Sequence, residues 1–154
     1  MNAIFRKLNF KDQSQLHIVN APESFRKDMS EMSFLTSIKT GLTGVKRISF
    51  FLAFVTKQKE VDSLAKKVVP LLEDDGIVWF AYPKGTSKKY TCEFNRDNGW
   101  AVLGNLGYEG VRMVAIDEDW SALRFRKVEH IKSMIRSFVM SDAGKKKRKR
   151  KSNC

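Results

Sequence analysis

The chain has 154 residues and a formal net charge of +12, and 42% of its residues are hydrophobic. This size and composition favour one globular domain with a hydrophobic core. The longest apolar run, residues 50–55, is too short to span a bilayer, and the first residues lack the apolar core of a signal peptide, so no membrane partner is expected. Cys92 and Cys154 are far apart in sequence, so we expect no disulfide framework and predict a cytoplasmic location.

Most of the excess positive charge lies near the C-terminus. Residues 145–151 read KKKRKRK, and these seven cations leave +5 for the rest of the chain. Such a run repels itself and buries nothing, so we predict one domain over residues 1–140 and a disordered basic tail over 141–154. The tail predicts sequence-independent, salt-sensitive association with nucleic acid or the ribosome, and a solubilising terminus is the alternative. The candidate nucleic-acid-binding residues are Lys145, Lys146, Lys147, Arg148, Lys149, Arg150 and Lys151.

The first half of the chain contains three predicted strands and one predicted helix. Residues 16–20 (LHIVN) form a first strand that stops before Pro22, and residues 23–32 suit a short helix. The other predicted elements of this half are a strand at 34–38, a turn at 41–44 (GLTG) and an apolar strand at 48–55.

The second half opens with an amphipathic helix. Apolar residues recur at helical spacing from 61 to 72, and Pro70 is expected to kink or end that helix. Residues 74–76 (DDG) then turn the chain into a strand at 77–82. The remaining predicted elements are a weaker helix at 95–106 capped by Gly107, a strand at 111–116, an antiparallel return strand at 122–125 and an amphipathic helix at 128–139.

This order of elements, β-α-β-β-α-β-α-β-β-α, predicts an α/β sandwich whose mostly parallel sheet has an antiparallel strand pair at one edge. Residues 77–82 (IVWFAY) form a continuous apolar run that stops at Pro83, which is typical of a strand buried on both faces. Open α/β folds bind ligands in the loops at the carboxyl ends of such strands. The loop that follows, KGTSKK at 84–89, is therefore the predicted place for a site.

Four segments together resemble an uncharacterised bacterial family. They read HIVNAPESF (17–25), FLAFV (51–55), DGIVWFAYPK (75–84) and AIDEDWSALRF (115–125), in this order over most of residues 16–127. The family is the domain of unknown function numbered three thousand fifty-two. The resemblance implies a Rossmann-like three-layer sandwich that is similar to the later half of class I methyltransferases. It implies no established activity and no catalytic residues.

The likeness to methyltransferases implies a cofactor site with a glycine-rich turn after the first strand and an acidic residue at the end of the second. In this chain the first strand is followed by NAPE at 20–23, which contains no glycine, and Pro22 lacks an N–H group. The second strand ends near Lys39 without a carboxylate. We therefore predict no cofactor, with the fold either retained without one or binding a different ligand in the same crevice.

Two hypotheses about function follow from these patterns. In one, a domain without catalytic activity associates with nucleic acid through its tail. In the other, an enzyme or sensor, which includes a divergent methyltransferase-like protein, binds a small anionic or phosphorylated molecule at the carboxyl ends of the strands. A solvated connection is the simpler interpretation of loop 84–89, because no G-x-x-x-x-G-K spacing is present. The candidate ligand-binding residues are Asn20, Thr56, Lys84, Gly85, Thr86, Ser87 and Lys88.

The remaining motifs give weaker indications of function. The acidic residues 117–119 would suit a divalent cation but are more typical of a hairpin turn, so no metal site is predicted, and Trp120 is expected to cover the sheet. The GLTG segment resembles a loop that clamps an RNA backbone, but the helices of that fold are missing, so a turn is predicted. His17 is expected to be structural, and His130 matches no catalytic spacing. Lysines near Cys92 would lower its pKa, although a plain cysteine is the simpler interpretation.

Overall fold

The computed structural model describes residues 1–131. Residues 132–154, which hold most of the predicted last helix and all of the predicted basic tail, lie outside the described residues. Within residues 1–131, no helix combines the length and the apolar composition needed to cross a membrane.

The described part of the chain contains six strands and four complete α-helices. The strands are β1 (Gln15–Val19), β2 (Ser37–Lys39), β3 (Ile48–Phe54), β4 (Leu72–Pro83), β5 (Tyr108–Ala115) and β6 (Trp120–Lys127). The helices are α1 (Ala3–Lys7), α2 (Arg26–Met32), α3 (Gln58–Val68) and α4 (Ala101–Asn105). Short 3-10 turns lie at Glu23–Phe25 and Val69–Leu71, and residues 128–131 are helical.

One mixed sheet holds the strands together in the order β2-β1-β3-β4-β6-β5. β1 is parallel to both β2 and β3, and β3 is parallel to β4. β6 is antiparallel to both β4 and β5, so the last two strands form the antiparallel pair at one edge. The predicted α/β architecture is confirmed, and β4 is a central strand of the sheet.

Successive side chains of a strand point to opposite sides of the sheet, so a fully apolar strand presents apolar side chains on both faces. Helices and loops cover both faces. On one face Trp79 of β4 packs in a cluster with Phe5 of α1 and Phe25 at the start of α2. On the other face Phe80 packs in a second cluster with Val61 of α3 and Leu103 of α4. Two separate cores flank the sheet, which confirms the predicted three-layer sandwich.

Helix α1 is a feature that sequence periodicity did not predict, because five residues are too few to show an amphipathic repeat. Its N-terminus is capped by Asn2, whose Oδ1 accepts the N–H groups of Ile4 (2.9 Å) and Phe5 (3.1 Å). After the helix, the carbonyl of Leu8 accepts a hydrogen bond from the indole N–H of Trp79 at 2.9 Å, inside the core. Tertiary contacts therefore fix this helix on the sheet.

The second strand begins later than predicted. Phe34 and Leu35 are strand-forming residues, yet they lie in the turn after α2, and Phe34 is 90% exposed. The N–H groups of Leu35 and Thr36 both donate to the carbonyl of Met32, which closes the helix and delays the strand to Ser37. The result is a three-residue edge strand.

The prediction of a helix at 95–106 was wrong for the first half of this segment. The side chain of Asn95 accepts the N–H groups of Asp97 (2.8 Å) and Asn98 (3.2 Å), which makes a local turn instead of a helical one. Gly99 follows with φ of 94°, and the helix starts only at Ala101. The sequence NRDNG carried this turn signal.

The predicted turn at 74–76 is an irregular part of β4. Leu72 pairs with Ile48, and Ile77 pairs with Phe50, so residues 73–76 bulge out of register. Asp75 within the bulge has φ of 54°. The strand therefore begins five residues before its apolar run.

Candidate functional site

A cavity of about 700 Å³ lies at the carboxyl end of β4, where the sequence predicts a site. Its walls are formed by residues 82–87, 90–92 and 94–97 together with Met113 and Ser121. We call it the carboxyl-end cavity. Of the predicted ligand-binding residues, Lys84, Gly85, Thr86 and Ser87 border this cavity, whereas Asn20, Thr56 and Lys88 do not.

Thr56 does not reach the cavity because the chain covers the end of β3. The carbonyl of Thr56 accepts the N–H of Glu93 at 3.0 Å, and the N–H of Thr56 donates to the Glu60 carboxylate at 2.9 Å. The Glu93 carboxylate in turn accepts the N–H of Gln58 at 2.9 Å. Asn20 is exposed at the end of β1 with φ of 61°. The structure therefore does not join Asn20, Thr56 and Lys84 in one cavity.

The loop after β4 is organised by the hydroxyl of Ser87. This hydroxyl donates to the Asp119 carboxylate at 2.8 Å and accepts the N–H groups of Lys89 (3.2 Å) and Tyr90 (3.1 Å). The N–H of Ser87 donates to the carbonyl of Lys84, whose own N–H donates to the carbonyl of Asp119 at 2.8 Å. Ser87 is thus committed to holding the loop in place.

Aromatic side chains form the apolar walls of the cavity. The hydroxyl of Tyr82 at the end of β4 donates to the sulfur of Met113 at 3.3 Å. The ring of Tyr90 lies 4.9 Å from that of Trp120, and the ring of Phe94 lies 4.9 Å from that of Trp100. Trp120 is buried in the core, so it covers the sheet as predicted. These packed rings give the cavity a defined shape.

Charged groups border the same cavity. Lys84 and Arg96 contribute cations and Asp97 contributes a carboxylate. The Nε of Arg96 lies 3.4 Å from Asp97, and both side chains are mostly exposed. At this exposure such a pair contributes little to stability. The sequence prediction missed Arg96 because it assigned residues 95–106 to a helix, although the NRDNG turn signal pointed to a loop, and no motif singled out Phe94.

Two titratable side chains at the cavity, Cys92 and Tyr82, are shifted toward their neutral forms. Burial raises the pKa of the Cys92 thiol, and the nearby carboxylates of Glu93 and Glu60 add to the effect. Burial likewise raises the pKa of Tyr82. The simpler interpretation of Cys92 as a plain cysteine holds, because desolvation dominates and neighbouring lysines do not lower its pKa. Cys92 is a half-buried thiol and not an activated nucleophile.

The other acidic and histidine motifs occupy different places. The Asp117 carboxylate accepts the N–H groups of Asp119 (2.8 Å) and Trp120 (2.9 Å), which confirms the predicted hairpin turn. Near the amino end of β4, possible ligand atoms of Asp74, Glu129 and His130 lie within 4.8 Å of one another. Both carboxylates there are exposed, and clusters of exposed acids are common on protein surfaces without a metal.

The ends of β1 and β2 do not fit the cofactor that the resemblance to methyltransferases implies. Asn20 places a side chain where a glycine is implied, and Pro22 offers no N–H. β2 ends at Lys39, a cation where the resemblance implies a carboxylate for the ribose. These donor groups do not match S-adenosylmethionine.

Solved structures with a similar fold have very different sequences. A SAM-dependent methyltransferase from Aquifex aeolicus matches with a TM-score of 0.55 and 8% identity over 81% of this chain and 88% of that chain. A ribosomal protein L11 methylase from Lactobacillus delbrueckii subsp. bulgaricus matches with a TM-score of 0.50 and 10% identity over 80% and 76%. The fibrillarin pre-rRNA processing protein of Methanococcus jannaschii matches with a TM-score of 0.50 and 12% identity over 76% and 67%.

At such low identities these matches show the fold alone. Comparison with protein-family models finds no match, and neither does comparison with curated proteins. The resemblance to the uncharacterised bacterial family therefore stays a prediction. The Rossmann-like, methyltransferase-like fold is confirmed.

Proposed function

We propose that this protein is a methyltransferase-like domain that binds a small anionic molecule in the carboxyl-end cavity. The observation that carries the proposal is the position of this cavity, where open α/β sheets bind their ligands. Its aromatic walls suit an apolar or planar ligand body, and Lys84 and Arg96 suit an anionic group. The misfit at the ends of β1 and β2 favours a ligand other than S-adenosylmethionine.

Within the loop, three residues keep hydrogen-bond donors that can bind an anion. Ser87 uses its hydroxyl and its N–H inside the protein, and the N–H of Lys84 is bound to Asp119. Among residues 1–131, the N–H groups of Gly85 and Thr86 make no hydrogen bond. Together with the Lys84 ammonium, these two N–H groups are the loop donors that we assign to the ligand.

A thermal-shift screen tests this proposal. Nucleotides, S-adenosylmethionine and phosphorylated metabolites are added to the full chain, and we expect a phosphorylated or carboxylated compound to raise the Tm. Lys84→Ala should abolish most of that shift because it removes the cation of the loop. Lys66→Ala, on an exposed position of α3 away from the cavity, is the matched control and should respond like the wild type.

Two results would refute the proposal. One is the absence of a shift with every compound. The other is a shift that Lys84→Ala and Lys66→Ala retain equally, because the ligand would then bind elsewhere.

A second function rests on a separate observation, the KKKRKRK run at 145–151, which holds seven of the twelve excess positive charges. We propose that this run associates with nucleic acid without sequence preference, since it neutralises phosphates. The test compares binding of a generic RNA and a generic DNA to the full chain and to a chain that ends at residue 144. We expect the shortened chain to bind far more weakly and with a shallower salt dependence. Equal binding by both chains would exclude the tail as the interface.

A further inference from the structure

A second cavity lies where the chain crosses over β1. Because β1 separates β2 from β3 in the sheet, residues 40–47 must pass over it to join them. Parallel crossovers usually contain a dozen or more residues and a helix, whereas this one has eight residues without a helix. So thin a cover leaves a cavity of about 640 Å³. We call it the crossover cavity, and it is bordered by Gln15 and His17 of β1, Lys39 of β2 and most of residues 40–47.

The base of the crossover cavity holds a buried polar group. His17 is 1% exposed, and its Nδ1 has no hydrogen-bond partner among residues 1–131. Buried polar atoms in native proteins nearly always have a partner, so an unpartnered one next to a cavity calls for a ligand or ordered solvent. The imidazole is therefore a candidate hydrogen-bonding group for a molecule in this cavity.

The rim of the cavity is strongly cationic. Lys39, Lys46 and Arg47 all border it, and none of its ten lining residues is a carboxylate. Arg47 does approach Glu73, but at 3.6 Å and with 75% of the Arg47 side chain exposed, so this ion pair is weak and leaves the guanidinium able to turn. Lys39 and Lys46 make no ion pair among residues 1–131 and Arg47 makes only this weak one, so the positive charge at the rim favours a ligand with two negative charges.

Neutral donors accompany these cations. The hydroxyls of Thr40 and Thr43 border the cavity. The loop turns at Gly44, whose φ is 75°, and the N–H of Val45 donates to the carbonyl of Leu42 at 3.2 Å. Within the described residues, the N–H groups of Thr43 and Gly44 make no hydrogen bond. Backbone N–H groups in a turn of this kind commonly bind phosphate oxygens.

We propose that the crossover cavity is a binding site for a small phosphate-bearing molecule, held by Lys39, Lys46 and Arg47 at the rim and by His17 at the base. The volume of about 640 Å³ suits a small phosphate monoester. Burial lowers the pKa of His17 by more than the Phe50 carbonyl raises it, and Lys39 lowers it further. The imidazole therefore stays neutral at neutral pH. Because its one N–H serves the Phe50 carbonyl, Nδ1 is left as an acceptor for the hydroxyl of a singly protonated phosphate group.

Nuclear magnetic resonance of the full chain tests the site directly. Inorganic phosphate and glycerol 3-phosphate are titrated at constant ionic strength, with acetate as the carboxylate comparison. We expect the amide signals of Thr43 and Gly44 and the ring signals of His17 to shift and saturate with both phosphates and not with acetate. These signals separate the crossover cavity from the carboxyl-end cavity and from the basic tail.

Charge-removing variants complete the test. Lys39→Met and Lys46→Met should each weaken phosphate binding about tenfold, because each removes a cation from the rim. Lys66→Met, on α3, is the matched control and should bind like the wild type. The exposed positions of Lys39 and Lys46 make these changes compatible with folding, which the amide spectrum checks.

Several outcomes would overturn the proposal. Shifts that never saturate, or that acetate produces equally, would indicate general ionic effects only. Unchanged affinity in a Lys39→Met, Lys46→Met double variant would place the phosphate elsewhere. A response of Thr43 and Gly44 to an RNA oligonucleotide but to neither phosphate would replace the small molecule by a nucleic-acid backbone.

Discussion

The hydroxyl of Ser87 donates a hydrogen bond to the carboxylate of Asp119 at 2.8 Å. This contact joins the loop after β4 to the hairpin between β5 and β6. The N–H of Lys84 reinforces it by donating to the carbonyl of Asp119 at 2.8 Å. One acid from the motif at 117–119 and one hydroxyl from the loop at 84–89 therefore support each other, and together they shape one wall of the carboxyl-end cavity.

Removal of the Ser87 hydroxyl should loosen this wall. Ser87→Ala loses one hydrogen bond to Asp119 and two accepted from Lys89 and Tyr90. We expect the free energy of unfolding to fall by about 1–2 kcal/mol, as measured by urea denaturation. Thr86→Ala is the control, because its exposed side chain makes no hydrogen bond among the described residues. Equal stability of the two variants would contradict the structural role of Ser87.

The buried indole of Trp79 should matter more than the partly exposed indole of Trp100. Trp79→Phe leaves the Leu8 carbonyl without its core partner, and we expect a loss of about 2–4 kcal/mol in the free energy of unfolding. In Trp100→Phe the lost bond, to the Asn95 carbonyl, is exposed to water, so the loss should be smaller. Denaturation in urea compares the two variants.

Hydrogen exchange offers a second readout for Trp79. In Trp79→Phe the amides of α1 should exchange faster, because the helix loses its anchor on β4. Unchanged protection of α1, or equal losses of stability in the two tryptophan variants, would contradict the anchoring role.

A methyl group at Gly99 should be poorly tolerated. The backbone there has φ of 94°, and an added Cβ would lie 2.5 Å from the Cβ of Phe94. We expect Gly99→Ala to lower the free energy of unfolding by at least about 2 kcal/mol, through backbone strain and collision.

Gly104 supplies the contrasting control in α4. An added Cβ has no neighbour within 4 Å there, so Gly104→Ala should raise stability by about 0.5–1 kcal/mol. Thermal unfolding of both variants checks the difference in sign. A stable Gly99→Ala would show that the turn before α4 has another conformation in solution.

The ion pair between Asp75 and Arg126 should make stability depend on acidic pH. The carboxylate accepts two hydrogen bonds from the guanidinium, at 2.6 and 2.8 Å. These bonds hold the pKa of Asp75 below its usual 3.8 in the folded state. The pair therefore stabilises the fold fully above about pH 3.8, and this contribution is lost as pH falls through the folded pKa.

Asp75→Asn tests this dependence, and asparagine tolerates the positive φ of 54°. The stability difference between wild type and variant should be constant at neutral pH and should shrink as pH falls below 3.8. Glu73→Gln breaks a looser pair with Arg47 at 3.6 Å, so at neutral pH it should lower the free energy of unfolding less than Asp75→Asn does. A difference that grew on acidification would contradict the sign of the pKa shift.

The sequence predicted the strands of the sheet because the spacing of apolar residues along a strand shows which of its faces are buried. The apolar runs at 48–55 and 77–82 correspond to β3 and β4, and the loss of polar residues from both faces marked them as covered on two sides. The sequence also predicted a site in the loop after β4, and in the structure this loop borders the carboxyl-end cavity. The tail hypothesis rests on charge alone and stays a prediction.

The sequence did not predict which residues form the cavity walls, because contacts between residues far apart in sequence fix the positions of the loops. The N–H of Gln58 donates to the carboxylate of Glu93, 35 positions away in sequence. The indole N–H of Trp79 donates to the carbonyl of Leu8, 71 positions away. No local periodicity encodes such pairs. The bond between Gln58 and Glu93 helps to cover the end of β3 at Thr56, and it ties down the segment that carries Phe94 and Arg96 to the carboxyl-end cavity.

The sequence by itself determined the alternating strands and helices, the antiparallel edge and the missing glycine turn after β1, since these depend on local hydrophobic patterns and on residue identity. Only the tertiary structure decided where helix α1 docks, that Ser87 is engaged by Asp119, and that an eight-residue crossover leaves a cationic cavity over His17. The physical reason is that burial and hydrogen bonding between distant segments are settled only when the layers pack.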